Sequence, residues 1–137
     1  MSILLSGILT TAINPALLRL PRAMDSDAAR VMLLAIGQQE SRFQYRFQKI
    51  AGRPYEKGPA RGFWQFERPG GVRGVMTHSA TERHARIVCE ARGVPFDDVI
   101  VHDRLETDDV LAATFARLLL WADARALPPV DAGHEAA

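Results

Sequence analysis

Two stretches decide the interpretation of this chain: Val31-Met-Leu-Leu-Ala-Ile-Gly-Gln-Gln-Glu40-Ser41 and Gly58-Pro-Ala-Arg-Gly62-Phe-Trp-Gln65-Phe66. The first predicts a helix that begins near the capping residues 25–27 and runs to about residue 43. Because residues 31–36 are apolar on nearly every face, we expect this helix to be central and buried. The second stretch lacks helical periodicity and predicts a tight loop that carries aromatic rings and an amide.

Further helices are predicted around one loop-rich segment. Start and stop signals place them at residues 14–20, at 79–93, from 97 or 98 onward, and at 110–121. The first would begin with Asn14 as its N-cap, and the second with a capping box from Ser79 to Glu82. Residues 44–76 are rich in glycine and proline, which favours an irregular insert with room for a short β-hairpin. The predicted fold class is therefore mainly α, of the α+β type.

Composition limits the functions that the chain can have. Its 137 residues are enough for one domain with a core of its own, and a net charge of +1 gives no argument for binding nucleic acid. Cys89 is the single cysteine, so we predict no intrachain disulfide and a buried, unreactive thiol. The four histidines lack the spacing of metal ligands, and we expect neither a metal nor another cofactor.

The N-terminal residues 1–12 are apolar but have no basic segment in front of them. They are also shorter than the ~20 residues that a membrane span requires. We therefore predict no secretory signal peptide and no integral membrane segment, and synthesis in the cytoplasm. The tail at residues 127–137 is predicted to be frayed.

Glu40 has the chemistry of a general acid for cleaving polysaccharides. Breaking a glycosidic bond requires an acid that still holds its proton near neutral pH, which a free glutamate with a pKa of about 4.3 does not. At the end of an apolar helix, beside Phe43, Phe63 and Trp64, desolvation and the helix dipole would raise the pKa of Glu40. A solvated glutamate at a helix end is the plainer alternative.

The loop that follows has groups suited to binding sugars. Phe63, Trp64 and Phe66 would offer flat apolar faces to pyranose rings, and Gln65 could hydrogen-bond a hydroxyl or acetamido group. Gly62 allows the backbone to approach closely. In the alternative interpretation, Phe63 and Phe66 simply fill the core.

Glu40-Ser41 followed by Gly58-Pro-Ala-Arg-Gly62-Phe-Trp-Gln65 resembles the lytic transglycosylases, a lysozyme-like family related to goose-type lysozymes. Members carry Glu-Ser on a core helix and then a Gly-Ala-x-Gly-Leu-Met-Gln-type loop. The helix from Asp109 is similar to a later family helix, so the resemblance covers about residues 28–121. Residues 61–67, Arg-Gly-Phe-Trp-Gln-Phe-Glu, look most like the small phage or prophage branch.

The resemblance implies a single lysozyme-like domain over residues 1–137, with a substrate groove formed by the loop-rich insert. Glu40 would be the one catalytic acid and then base, and Ser41 and Gln65 would orient the substrate beside Gly62, Phe63 and Trp64. The substrate would be the bond between N-acetylmuramic acid and N-acetylglucosamine in the glycan strands of peptidoglycan, giving a 1,6-anhydromuramoyl product. The protein would degrade the cell wall after release, as an endolysin does, or within a phage particle.

The chain departs from the family pattern in two ways. The segment between Glu40 and Gln65 is longer than the usual family loop, and no Tyr-Asn-x-Gly match follows Trp121. Two alternatives therefore stay open. One is a truncated or impaired relative that only binds peptidoglycan or serves in virion assembly. The other is a hydrolysing lysozyme that uses Glu56 or Glu67 as a second carboxylate.

Overall fold

The computed structural model describes residues 2–123, 127 and 128. The protein is mainly helical with a small antiparallel sheet, as predicted. Its helices are α1 (Ile3–Ile8), α2 (Asn14–Leu18), α3 (Asp27–Ser41), α4 (Arg73–Thr77), α5 (Glu82–Ala91), α6 (Asp98–Arg104) and α7 (Asp109–Ala122). The strands are β1 (Phe47–Lys49), β2 (Lys57–Arg61) and β3 (Phe66–Glu67).

The N-terminal helix begins earlier than predicted. A π-helical turn at Leu9–Ile13 joins α1 to α2, so residues 3–18 run without a break and Asn14 is not an N-cap. The side chain of Asn14 instead accepts a hydrogen bond from Arg30 Nε at 2.8 Å. Proline lacks a backbone N–H, and the wider π-helical turn before it accommodates Pro15 without ending the helix.

Helix α7, and not α3, is the central helix. Residues 111–118 of α7 are all buried, and this helix packs against α2, α3, α4 and α5. In α3, by contrast, Val31 is 52% exposed, and burial follows residues spaced by four. The prediction that α3 is buried on nearly every side is wrong. A run of apolar residues shows that a helix can be buried, but it does not show how many of its sides other elements cover.

The loop-rich insert contains the predicted hairpin and a third strand. β1 pairs with β2, where Phe47 faces Arg61, and β2 pairs with β3, where Ala60 faces Glu67. The sheet order is β1-β2-β3, and all pairs are antiparallel. Residues 68–76, which were expected to be irregular, are helical: a π-helical turn at Arg68–Val72 continues into α4.

The predicted starts of the last two helices are confirmed. Asp97 caps α6 by accepting the N–H groups of Val99 and Ile100, and Asp108 caps α7 by accepting the N–H of Leu111. The capping box at Ser79 is wrong. α5 begins at Glu82, and the hydroxyl of Thr81 donates to the carbonyl oxygen of Val75 at 2.7 Å instead of capping the helix.

Within the described part of the chain, no helix is both long enough and apolar enough to cross a membrane. Cys89 is fully buried, as predicted. The prediction of a frayed tail concerns residues 127–137, which lie outside the described residues except for 127 and 128.

Candidate functional site

Glu40 and Ser41 lie in the last turn of α3 but on different sides of the helix. The buried row of α3 consists of Ala29, Leu33, Gly37 and Ser41. Glu40 falls outside this row and is exposed to solvent. The predicted dry setting of the Glu40 carboxyl is therefore wrong, and the alternative of an exposed glutamate at a helix end describes its surroundings.

The hydroxyl of Ser41 is used inside the protein. It donates to the carbonyl oxygen of Gly37 at 3.2 Å and accepts from the backbone N–H of Phe43 at 3.1 Å. Only 2% of the residue is exposed. The Ser41 side chain closes the end of α3, and its role in orienting a substrate stays a prediction.

The chain leaves α3 through two consecutive residues in the left-handed region. Arg42 and Phe43 both have a φ of 56°. Outside glycine this conformation costs roughly 1–2 kcal/mol per residue, so packing must compensate. The ring of Phe43 folds back onto α3 so closely that a Cβ added at Gly37 would lie 2.2 Å from it. Gly37 therefore makes room for the turn that directly follows Glu40.

Phe43, Phe63 and Trp64 form a buried aromatic cluster. Their ring centroids lie 5.5–6.4 Å apart in edge-to-face contacts, and each residue is 4% exposed. Trp64 Nε1 also donates to the carbonyl oxygen of Leu33 at 2.9 Å. These rings attach the loop to α3, so Phe63 fills the core, as the alternative interpretation expected, and a sugar-binding role for Trp64 stays a prediction. Phe66 is also buried, as the alternative interpretation expected.

Gly62 and Gln65 shape the turn between β2 and β3. Gly62 has a φ of 79°, and a Cβ there would lie 2.7 Å from the carbonyl oxygen of Leu105, so the position requires glycine. The backbone N–H and the side-chain Nε2 of Gln65 both donate to the carbonyl oxygen of Gly62, at 2.9 and 3.0 Å. Of the five predicted binding residues, only Gln65 has a partly exposed side chain.

A cavity of about 360 Å³ opens beside Gln65. Its lining consists of Trp64, Gln65, Phe66, Glu67, Gly70, Gly71 and Leu119. Glu67 is exposed and supplies a carboxylate, and Leu119, at 43% exposure, supplies apolar surface. Glu40 is not among the described lining residues. The cavity thus brings Gln65 together with Glu67, and not with the predicted catalytic residue.

The second candidate for an additional carboxylate, Glu56, lies elsewhere. It belongs to the connection between β1 and β2, where its Oε2 atom is 3.1 Å from Arg53 Nη1 in an exposed ion pair. Of the two carboxylates considered for hydrolysis, Glu67 is therefore the one beside a cavity.

Arg46, which no sequence pattern singled out, makes contacts close to the loop. Its guanidinium makes a two-pronged ion pair with Asp109, with N–O distances of 3.0 and 2.9 Å, and lies 4.4 Å from the centroid of the Phe63 ring. The hydrogen bond to Asp109 raises the pKa of Arg46. The partners are 63 residues apart in sequence, and no local pattern predicts such a pair.

Strand β2 is fastened to the connection between α6 and α7 by further polar contacts. Glu106 accepts from Lys57 Nζ at 2.8 Å and pairs with Arg61 Nε at 3.4 Å. His102 Nε2 lies 2.7 Å from the carbonyl oxygen of Pro59. Since a carbonyl can only accept, this His102 nitrogen carries the hydrogen. The contacts fix the sheet beside the N-terminus of α7.

The histidine, cysteine, aspartate and glutamate side chains of the described residues form no group of three or more that could hold a metal ion. Comparisons with protein-family models, curated proteins and solved structures give no significant match. Any function for this protein must be inferred from its sequence pattern and its geometry.

Proposed function

We propose that this protein cleaves the glycan strands of peptidoglycan as a lytic transglycosylase or lysozyme-type glycosidase, with Glu40 as general acid and then base. The observation that carries the proposal is the position of Glu40. Its carboxylate is open to solvent in the last turn of α3, directly before a left-handed exit and an antiparallel sheet. A lysozyme-like arrangement would place the polymer between this helix end and the sheet.

Glu40 can meet two demands that the chemistry makes on one residue. Its side chain is accessible to a polymer, whereas its backbone is held by the buried contacts of Gly37, Ser41 and Phe43. Such a rigid support reduces the reorganisation needed to bring an acid to the leaving group. Because the carboxyl is exposed in the free protein, a bound glycan would have to supply the desolvation that favours the protonated acid.

In the transglycosylase reaction, protonated Glu40 gives its proton to the N-acetylglucosamine oxygen while the bond from C1 of N-acetylmuramic acid to that oxygen breaks. The Glu40 carboxylate then accepts the proton of the C6 hydroxyl of the N-acetylmuramic acid, while the C6 oxygen bonds to C1 of the same sugar. One carboxyl serves both steps, water is not consumed, and a 1,6-anhydromuramoyl end forms. We assign the protein to the phage or prophage setting that the sequence resemblance implies.

Hydrolysis is a variant of this proposal in which Glu67, beside Gln65, would be the second carboxylate. Glycosidases that use water commonly need a second carboxylate, and Glu67 lines the cavity beside Gln65. In this variant Glu67 would activate the water and Gln65 would hold a hydroxyl or acetamido group of the sugar.

The second candidate function is binding of peptidoglycan without cleavage. It is favoured by the lack of a Tyr-Asn-x-Gly match after Trp121, since that segment supplies a tyrosine near the acid in the family that the chain resembles. A binding protein needs no proton donor, so the role of Glu40 separates the two candidates.

The test is digestion of purified peptidoglycan with mass spectrometry of the released fragments. The variants are Glu40→Gln, Glu67→Gln and, as a matched control, Glu90→Gln, which changes another exposed glutamate near a helix end. We expect anhydromuramoyl products from the wild type and from the Glu90 variant, and none from the Glu40 variant. Reducing-end products that require Glu67 would establish hydrolysis. Binding without any product from the folded wild type would establish the second candidate.

A further inference from the structure

Arg46 connects three segments that are distant in sequence. It follows the exit from α3, and its side chain pairs with Asp109 at the first residue of α7. Its backbone carbonyl oxygen accepts from the N–H of Gly62 at 2.7 Å, in the turn between β2 and β3. Its guanidinium also lies over the ring of Phe63. One residue thus joins the helix exit, the loop and the central helix.

Two short chains of contacts lead from Arg46 to the candidate site. Towards Glu40, the Phe63 ring meets the Phe43 ring at 5.5 Å, and the Phe43 ring presses on Gly37, one turn before Glu40. Towards Gln65, the carbonyl group of Gly62 accepts both hydrogen bonds that fix the Gln65 side chain and backbone. A displacement of Arg46 would therefore move both ends.

We propose that Arg46 is a positioning residue that sets the place of Glu40 relative to Gln65, with Asp109 as its anchor; this rests on the proposed cleavage of peptidoglycan. The geometry requires arginine. A guanidinium can donate two parallel N–H groups to both oxygens of Asp109 while its plane covers an aromatic ring. A lysine ammonium is a point charge and lacks this paired geometry. Arg46 itself touches neither reacting group.

The test compares Arg46→Gln, Arg46→Lys, Asp109→Asn and the double variant Arg46→Gln/Asp109→Asn. Arg53→Gln is the matched control, because it breaks an exposed arginine–glutamate pair in the same insert. At a temperature where each variant is folded by circular dichroism, we expect kcat to fall about 10- to 100-fold for Arg46→Gln, since small misplacements of catalytic groups cost that much. KM should change less than threefold.

Three further results are expected. The kcat of Asp109→Asn falls by a similar factor. The double variant has a kcat no lower than that of the slower single variant, because both substitutions remove the same interaction. Arg46→Lys keeps the charge and stays well below wild-type kcat. Arg53→Gln has wild-type kcat. Full kcat in a folded Arg46→Gln or Arg46→Lys variant overturns the inference, as does a loss that appears in KM alone.

A measurement without catalysis separates this inference from the proposed function. In 15N–1H spectra, the side-chain amide of Gln65 and the backbone amide of Glu40 should both shift in the Arg46 variants, and neither should shift in Arg53→Gln. If the wild type is inactive but both amides shift, the proposed function fails and the positioning by Arg46 stands. If the amides of an Arg46 variant stay in place, the inference fails whatever the activity.

Discussion

Gly37→Ala tests whether the end of α3 is held by the contact between Gly37 and the ring of Phe43. An alanine Cβ would lie 2.2 and 2.3 Å from two ring atoms of Phe43, far inside van der Waals contact. The ring cannot give way easily, because Phe43 is buried against Phe63 and Trp64. We therefore expect the ring to leave its site.

The magnitude follows from two opposing effects. Loss of a buried phenylalanine from a core costs about 3–5 kcal/mol, measured by truncation to alanine. Replacing glycine by alanine inside a helix raises the free energy of unfolding by about 1 kcal/mol. We expect Gly37→Ala to lower the free energy of unfolding by about 2–4 kcal/mol. The same displacement should lower any activity that depends on Glu40, one turn further on.

The assay is urea unfolding followed by tryptophan fluorescence, with Gly74→Ala as the matched control. Gly74 also lies in a helix, and nothing lies within 4 Å of a Cβ added there. With a slope of about 1–3 kcal/mol per molar urea, Gly37→Ala should move the midpoint down by on the order of 1–2 M. Gly74→Ala should leave it unchanged or raise it slightly. A Gly37→Ala midpoint equal to that of Gly74→Ala would refute the reasoning.

Three further substitutions or titrations have defined outcomes. Burial, and secondarily the charge of Asp108, raises the pKa of Cys89 to about 11. Iodoacetamide should therefore not label the native thiol at pH 8, and labelling of the folded protein would contradict this. The free energy of unfolding should fall as pH rises from about 9 to 11, and Cys89→Ala should remove the part of this decline that the thiol causes. The hydrogen bond from Arg73 lowers the pKa of Asp98 below its usual 3.8. The ion pair therefore adds to the free energy of unfolding above pH 3.8, and this addition is lost on acidification. Asp98→Asn should make stability less dependent on pH on the acid side, and an unchanged acid side would count against the pair. Gly62→Ala places an alanine in the left-handed region and brings its Cβ against the carbonyl oxygen of Leu105. In urea unfolding, the free energy of unfolding should fall by about 2–5 kcal/mol. A decrease of less than about 1 kcal/mol would show that the turn can move.

Local signals in the sequence predicted most helix positions and the hairpin, although the caps at Asn14 and Ser79 are wrong. The starts of α6 and α7 are confirmed to within one residue, because each depends on an aspartate side chain, Asp97 or Asp108, and the N–H groups two or three residues later. The hairpin in the insert also follows from its turn-forming residues. The helical residues 3–13 ahead of the predicted helix were missed because the continuation of a helix through a proline depends on the turn before it, which no single residue encodes.

The depth of burial could not be predicted from the apolar run in α3. An apolar residue can face solvent when no partner covers it, and Val31 does so. Which helix becomes central depends on contacts with elements that are distant in sequence. For the same reason the sequence placed Glu40 in a dry setting, although the buried row of α3 ends at Ser41, one residue further on.

The candidate site was predictable only in part. The need for glycine at residue 62 and the partly exposed amide of Gln65 agree with the loop pattern. The inward direction of Phe63 and Trp64 follows from their packing on Phe43, whose left-handed backbone no sequence rule anticipates. The pair of Arg46 with Asp109 lies beyond local patterns altogether.

Ion pairs add to the apolar contacts that hold the sheet on the helices. The helices share a hydrophobic core around α7, whereas the described contacts that fasten the sheet to α6 and α7 include the ion pairs of Arg46, Lys57 and Arg61. Dissolved salt screens partly exposed charges within a Debye length, and sulfate strengthens apolar burial. Concentrated sulfate should therefore tighten the helical scaffold and weaken the charged links to the sheet at the same time. The attachment of the sheet should therefore depend on the ionic composition of the solution.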